Sequence, residues 1–360
     1  MKILFFIPSM RNKGGVERAA ITLMNAMAQL EGLHISILTL NDNREDFAFP
    51  IDDNISVVNL EITHYKRQYI KLFFRLRKYL KANVYDAIIL IETISLLFSF
   101  LPTILLKKKP KLVVWEHFNF KNTNNSKLRA YFRIIAAKYA DLIVVLTERD
   151  EETWKKQLRI NNAITYIYNI SPYSGTEVQY SEDSKVAIAV GRFVPVKGFE
   201  RLIEIWDILE HKYFNLGWKL HLVGYGEQKE NLKALIVKKG LGDSIKILEN
   251  QDMREVYQQA GVLCMTSYFE GLPMVLLEAQ DYALPSIAFD IYSGPAEILH
   301  NGSGILVKDN NLEDYADELF LLLSDTDKRR RMSALALENS QRFSKGEIVK
   351  KWTTELKKLL

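Results

Sequence analysis

One pattern constrains the fold of this chain more than any other. Short, continuously apolar runs recur, each followed by a turn and then by a segment with helical apolar spacing. The first run, Lys2–Pro8, leads through the loop Ser9–Gly15 into Val16–Leu30, where Val16, Ala19, Ala20, Leu23, Met24 and Met27 fall at helical spacing. A run that is apolar at every position, rather than at alternate ones, suits a strand covered on both faces, as in a parallel sheet flanked by helices. His34–Leu40, Ile55–Leu60, Tyr85–Ile91, Leu112–Trp115, Ala140–Leu146 and Ile164–Tyr168 continue the strand series, with a strongly basic helix at Tyr69–Ala82. Asn169–Ser184 is polar and turn-rich and reads as a linker. The alternation then restarts. Strands are expected at Val186–Val190, Lys219–Val223, Ile245–Leu248, Val262–Met265, Ser286–Phe289 and Ile305–Val307. Helices are expected at Phe199–His211, Gln228–Lys239 and Asp252–Gln259, with another opened by Pro273. Leu312–Leu323, Asp327–Phe343 and an amphipathic Gly346–Leu360 close the chain. The pattern predicts an α/β protein of two Rossmann-like, doubly wound domains facing a cleft, residues 1–170 and 171–345. Open parallel sheets bind ligands beyond the carboxyl ends of their strands, so residues just after strands are the candidates for function.

A chain of 360 residues is long enough to bury two cores, and its net charge of +4 is too mild to indicate nucleic acid. The single cysteine, Cys264, lies inside an apolar run. It excludes an intramolecular disulfide, fits a reducing compartment and reads as a small core residue rather than a nucleophile. The opening MKILFFIPSM passes at once into RNKGGVER and reads as a strand, not a secretory signal. Ala87–Leu106 is broken by Glu92, Thr93, Ser95, Ser99, Pro102 and Thr103, so it reads as strand, turn and helix rather than a membrane span.

The densest group of candidates is TSYFEGLPMVLLEA, Thr266–Ala279. Gly271 removes a Cβ from a turn that follows a strand, and Pro273 suits the start of a helix, whose free amides make an anion site. Glu270 lies in the turn, and Glu278 lies about two helical turns on, at roughly 3.6 residues per turn. Two carboxylates so spaced can hold a long polyhydroxylated phosphate ester, or can be two solvated glutamates of an ordinary βα unit. Gly191–Gly198, GRFVPVKG, places Arg192 and Lys197 in one loop after a strand, where two cations can neutralise a diphosphate. Gly14 and Gly15 open the first helix and allow either phosphate approach or a tight turn. His117, after Glu116 at a strand end, is either a substrate donor or a histidine satisfied within the fold. Gly224 and Gly226 resemble an incomplete dinucleotide fingerprint in which Lys229 stands at the third glycine and Glu249 near the next strand end. A nicotinamide-dependent oxidoreductase is the alternative that this motif keeps open, and backbone packing near a nucleotide explains the glycines equally well. Asp325 and Asp327 read as a helix N-cap rather than a metal-binding pair, and no His/Cys cluster suggests zinc. Ser293–Ile298 is a further turn opening a helix, with Glu297 in it.

Taken in order, GGVER, EH at a strand end, GRFVPVKG, GYGEQKENL and TSYFEGLPMVLLEA together resemble the retaining GT-B glycosyltransferases of family 4. The resemblance spans both halves. It implies that Arg192 and Lys197 hold the diphosphate of a nucleotide-sugar donor and that Glu278 holds the nucleotide ribose. It implies further that Glu270 with the backbone of Gly271, Leu272, Pro273 and Met274 holds the transferred sugar. Gly14 and Gly15 would approach the phosphate or acceptor, Gly224 and Gly226 would lie at the donor, and His117 would lie beside the reacting carbon. The family reaction is expected to need no metal and no cofactor besides the donor itself, a UDP- or GDP-sugar. Gly346–Leu360 would be the family's crossing helix, packing on the first domain.

The basic helix Tyr65–Lys81, YKRQYIKLFFRLRKYLK, suits an anionic inner-membrane surface, and equally a solvated face or a polar partner. The implied setting is a peripheral cytoplasmic enzyme extending a glycan or undecaprenyl-linked acceptor in O-antigen, capsule or lipopolysaccharide synthesis, with a hexose or N-acetylhexosamine as the sugar. A non-catalytic membrane-associated scaffold of the same fold is the remaining alternative.

Overall fold

The computed structural model describes residues 1–122, 126–175, 180–213 and 217–360. Met1–Ile170 with Lys345–Leu360 form one compact unit, and Ser171–Ser344 form a second.

The first unit runs β1 (Lys2–Phe6), α1 (Gly15–Ala28), β2 (His34–Thr39), β3 (Ser56–Asn59), α2 (Tyr69–Ala82), β4 (Ala87–Ile91), α3 (Leu96–Ile104), β5 (Lys111–Trp115), α4 (Lys127–Tyr139), β6 (Leu142–Val145), α5 (Glu148–Gln157) and β7 (Ala163–Tyr166). Its seven strands lie in the order β3-β2-β1-β4-β5-β6-β7, and every pairing is parallel. β4 is buried at every position, which is why its sequence AIILI shows no alternation. Helix α4 carries four basic side chains, and α5 mixes four acidic with three basic ones. They are set by their N-caps, Ser126 accepting from Arg129 N and Thr147 from Asp150 N, and by the need for a crossover between parallel strands.

The second unit runs β8 (Val186–Val190), α6 (Phe199–Tyr213), β9 (Lys219–Val223), α7 (Lys229–Lys238), β10 (Ile245–Leu248), α8 (Met253–Gln259), β11 (Val262–Met265), α9 (Met274–Asp281), β12 (Ser286–Asp290), α10 (Pro295–Ile298), β13 (Ile305–Lys308), α11 (Leu312–Ser324) and α12 (Thr326–Ser340). Its sheet order is β10-β9-β8-β11-β12-β13, again wholly parallel. Asp325 caps α12 by accepting from Lys328 N, and Asp327 pairs with Arg330. The two units are therefore separate doubly wound Rossmann-like sheets.

Two local expectations change. Asn169–Ser184 is not a free linker over its described residues. Ser171 donates to Asp281, Tyr173 N donates to the same carboxylate at 3.1 Å, and the Tyr173 ring meets those of Tyr257 and Tyr282. Tyr180 and Ser184 donate to the backbone carbonyls of Gly261 and Gln259, so the segment is docked on the second unit. Thr176–Gln179 of that stretch lie outside the described residues. Pro273 is the N-cap of α9 rather than its first helical residue.

The chain returns to the first unit with α13 (Lys345–Leu359). Its buried stripe Ile348, Val349, Trp352 and Leu356 follows helical spacing, and Trp352 meets Trp115 edge to face at 5.1 Å. Trp352→Ala is expected to lower stability by about 3–5 kcal/mol, read as a fall in the urea midpoint. Leu360→Ala, at a residue 56% exposed, should leave the midpoint unchanged.

Candidate active site

In each sheet the order reverses once, between β1 and β4 in the first and between β8 and β11 in the second. At such a point the two neighbouring strands send their helices to opposite sides, leaving a crevice beyond their carboxyl ends. Gly14, Gly15, Arg192, Lys197 and the Glu270–Glu278 group follow these strands, whereas His117 follows β5 and Gly224 and Gly226 follow β9.

In the second unit the loop after β8 begins at Gly191 and ends at Gly198, which adopts φ +63°. A Cβ on Gly198 would overlap the carbonyl of Thr266, so only glycine allows this approach to the end of β11. Thr266 Oγ1 donates to Gly198 O at 2.8 Å, and Tyr268 N donates to Val196 O at 2.8 Å. The loops after β8 and β11 are thus one bonded unit. Lys197 runs back over Gly191 and places its Nζ 2.7 Å from Glu270 Oε1, both side chains being mostly buried. Arg192 is exposed and makes no ion pair among the described residues. Ser293 Oγ donates to Glu270 O at 3.1 Å, so the Ser293–Ile298 turn braces the Glu270–Gly271 backbone. Leu272 and Pro273 are buried, while Gly271 and Met274 are partly exposed.

Two candidates in this unit differ from their simplest readings. Glu278 is 3% exposed and accepts from Tyr257 Oη at 2.5 Å, so it is an oriented buried carboxylate and not a solvated one. Gly224 and Gly226 face the neighbouring loop. A Cβ on Gly224 would overlap Gly191 O, and one on Gly226 would lie 2.5 Å from Phe193 O. The glycine pair is explained by backbone packing. Lys229, where a dinucleotide fingerprint has its third glycine, is paired with Glu249.

The sequence reading missed Arg201, three residues into α6 and 5% exposed. Its guanidinium donates to Thr266 O and Ser267 O, and also to Asp309 and Asn310 at 2.9 Å each. It lies over the Tyr268 ring at 3.8 Å. Arg201 therefore fixes the end of β11 from beneath. Its only sequence signal is a cation on an otherwise apolar helix face.

In the first unit, Gly14 caps α1 in an extended conformation, and the Glu17 carboxylate folds back over it. Beyond β5, Glu116 is 1% exposed. Burial pushes its carboxyl up, but the charges of Arg133 and Arg129 and hydrogen bonds from Thr93 and Phe118 N outweigh burial and hold it below the usual carboxylate range. Arg129 Nη1 lies 3.0 Å from Glu116 and Nη2 lies 3.1 Å from Glu92. Neither Arg129 nor Arg133 is singled out by any motif. His117 is 7% exposed, meets the Trp115 ring at a tilt with centroids 4.4 Å apart, and has its Nε2 buried without a hydrogen-bond partner among the described residues. Burial lowers its pKa to about 4, with Arg129 assisting and Glu116 opposing. The imidazole is neutral at physiological pH. It offers one hydrogen bond and carries no charge. No cluster of metal-ligating side chains occurs among the described residues.

This fold and these loops belong to a known class. Residues 13–170 match the model of Glycosyltransferase Family 4, and residues 176–338 match that of Glycosyl transferases group 1. The chain is a glycosyltransferase of the GT-B, family 4 type. It is 30% identical over 361 residues to the amylovoran biosynthesis glycosyltransferase AmsD of Erwinia amylovora, covering 98% of both chains. It is 26% identical over 374 residues to a Campylobacter jejuni α-1,4-N-acetyl-D-galactosaminyltransferase named for a diNAcBac-PP-undecaprenol-linked acceptor, covering 98% of this chain and 97% of that one. Among solved structures, the apo lipopolysaccharide outer core galactosyltransferase WaaB superposes with a TM-score of 0.79 at 22% identity, covering 100% of both chains.

The buried histidine makes a pH prediction. Between its ordinary value of 6.5 and about 4, the unfolded chain binds a proton at His117 that the folded chain refuses. Stability from this group is therefore present above pH 6.5 and lost as pH falls. On going from pH 7 to pH 5, wild type should lose about 1–2 kcal/mol more than His117→Gln, measured by urea unfolding of both proteins at the two pH values.

Proposed function

We propose that this enzyme transfers a hexose or N-acetylhexosamine, with retention of configuration, from a UDP- or GDP-sugar to a glycan or undecaprenyl-linked acceptor. The pathway would be bacterial O-antigen, capsule or lipopolysaccharide synthesis. The observation that carries this reading is the pairing of Lys197 with Glu270 at 2.7 Å where the second sheet reverses its order. A lysine and a carboxylate fixed together beyond the strand ends suit a ligand that is a phosphate at one end and a polyol at the other.

In this reading the bond from the anomeric carbon to the diphosphate breaks, and a bond from that carbon to the acceptor oxygen forms on the same face. The acceptor proton passes to the departing phosphate oxygen. Arg192 and Lys197 meet the charge that grows on the diphosphate, which is where fixed cations accelerate transfer most. They do so with no metal ion. Glu270 holds Lys197 over Gly191 and accepts from hydroxyls of the sugar, and Glu278, oriented by Tyr257, receives the ribose hydroxyls. Neutral His117 offers its Nε2 to the sugar. The names of the Erwinia and Campylobacter relatives support polysaccharide synthesis and a lipid-linked acceptor.

No helix among the described residues is long and apolar enough to cross a membrane. Helix α2 suits attachment to an anionic bilayer surface on the cytoplasmic side. It buries Leu72, Leu76 and Leu80, exposes Ile70 and Phe74, and carries exposed Lys71, Lys78 and Lys81 beside them.

The test is a thermal-shift titration with UDP, GDP, ADP, their sugars and NAD, followed by transfer assays with the donor that binds. One nucleotide sugar is expected to protect the native state, by about 2.7 kcal/mol at a hundred times its Kd. Lys197→Ala should still give a cooperative unliganded melt, showing that it folds, while lowering kcat by about 10²–10³-fold. Protection by NAD alone, or full transfer by the Lys197→Ala protein, would overturn the proposal.

A further inference from the structure

We infer that Glu92 is the acceptor-binding carboxylate of the first unit, accepting hydrogen bonds from hydroxyls of the sugar that receives the transferred group. This rests on the transferase reading above and adds a residue outside the motif stretches GGVER, EH, GRFVPVKG, GYGEQKENL and TSYFEGLPMVLLEA.

The argument begins with topology. In the second unit, the strands that flank the reversal are β8 and β11, and the loops after them carry Arg192, Lys197 and Glu270. In the first unit the flanking strands are β1 and β4. The loop after β1 leads to Gly14 and Gly15, and the residue immediately after β4 is Glu92. Glu270 lies in the loop after one strand of the second reversal, and Glu92 opens the loop after the corresponding strand of the first.

The backbone there is strained. Glu92 adopts φ +64° and ψ +144°, a region sparsely populated by any residue with a Cβ. Its N–H donates to Trp115 O at 2.8 Å and its carbonyl accepts from Ser95 N at 3.0 Å, so the conformation is fixed from both sides. Glycine would hold this turn without strain. A glutamate is there instead.

The side chain is also placed against its own stability. It is 18% exposed, with one oxygen 3.1 Å from Arg129 Nη2. Arg129, on α4, divides its charge between Glu92 and the wholly buried Glu116 at the end of β5. The Glu17 carboxylate of α1 adds a third negative charge facing the same place. Burial first, then Glu116 and Glu17, outweigh Arg129 and raise the Glu92 carboxyl to about 7. Its native proton is thus held from the ordinary value of 4.5 up to about 7. Stability from Glu92 is full below 4.5 and is lost as pH rises through 7. Strain and an unfavourable charge held at the mouth of a crevice mark a residue kept for a ligand.

Two measurements decide it. At pH 8, Glu92→Gln and Glu92→Gly should melt about 2–4 °C above wild type, and the gain for Gln should shrink at pH 6. A melting temperature below wild type at pH 8 would make Glu92 a structural partner of Arg129 and overturn the inference. Second, octyl glycosides of glucose, galactose, N-acetylglucosamine and N-acetylgalactosamine serve as acceptor probes in thermal-shift titrations. At least one should protect wild type, more strongly at pH 8 than at pH 6, and Glu92→Gln should weaken that protection at least tenfold in apparent Kd. Equal protection of both proteins, or of neither, would sink the assignment. Nucleotide protection should be the same in both proteins. Its absence from both would instead remove the transferase reading.

Discussion

A parallel sheet can reverse its winding only where two strands lie side by side with neither chain crossing over the other. Here that happens between β1 and β4 and again between β8 and β11. Helices leave these strands on opposite faces, so nothing helical covers the strand ends, and the loops that follow meet there. In the second unit this places Lys197 against Glu270, which are far apart in the chain. The same geometry places Glu92 beside the β5 end that carries Glu116 and His117, through the bond from Glu92 N to Trp115 O.

The loops themselves are held by buried arginines. Arg201 ties the carbonyls at the end of β11 to Asp309 and Asn310, and Arg129 and Arg133 surround Glu116. Arginine suits this work because its planar fork can donate to several fixed oxygens at once and keeps its charge when buried. Each guanidinium lies against an aromatic face as well, Arg201 over Tyr268 and Arg129 over Phe118. Removing any one would leave buried carboxylate or carbonyl oxygens unmatched, which costs far more than the loss of an exposed ion pair. The loops gain rigidity from beneath, while their upper residues, such as Arg192, remain exposed.

Burial also sets the protonation of neighbours in opposite ways. Glu116, with two guanidinium groups against it, is held ionised although it is buried. His117, the next residue, is held neutral by the same burial and by Arg129. Glu92 shares Arg129 with a stronger competitor and is left titrating near neutrality. Three adjacent groups thus present a fixed negative charge, a neutral hydrogen-bonding ring and a variable carboxylate within one end of a sheet.

The apolar runs KILFF, AIILI, LIVV and VLCM were enough to announce parallel strands, because a strand covered on both faces has no polar face to alternate with. GRFVPVKG and FEGLPMVLLEA were legible as candidates for a similar reason: each concentrates glycines and charges in a few consecutive residues after a strand end. Arg201, Arg129 and the strained Glu92 were not legible. Each looks like an ordinary polar residue until long-range packing shows which oxygens or charges face it. The Gly224–Gly226 pair is a visible motif with two readings, dinucleotide fingerprint or backbone packing, and the backbone of residues 191–193 packed against it favours the second. Sequence alone determined two doubly wound units and the candidate loops after their strands, because local pattern encodes strand burial and turn chemistry. Only the tertiary structure decided which charges meet, which of them ionise, and which residue bears strain, because those depend on neighbours far away in the chain.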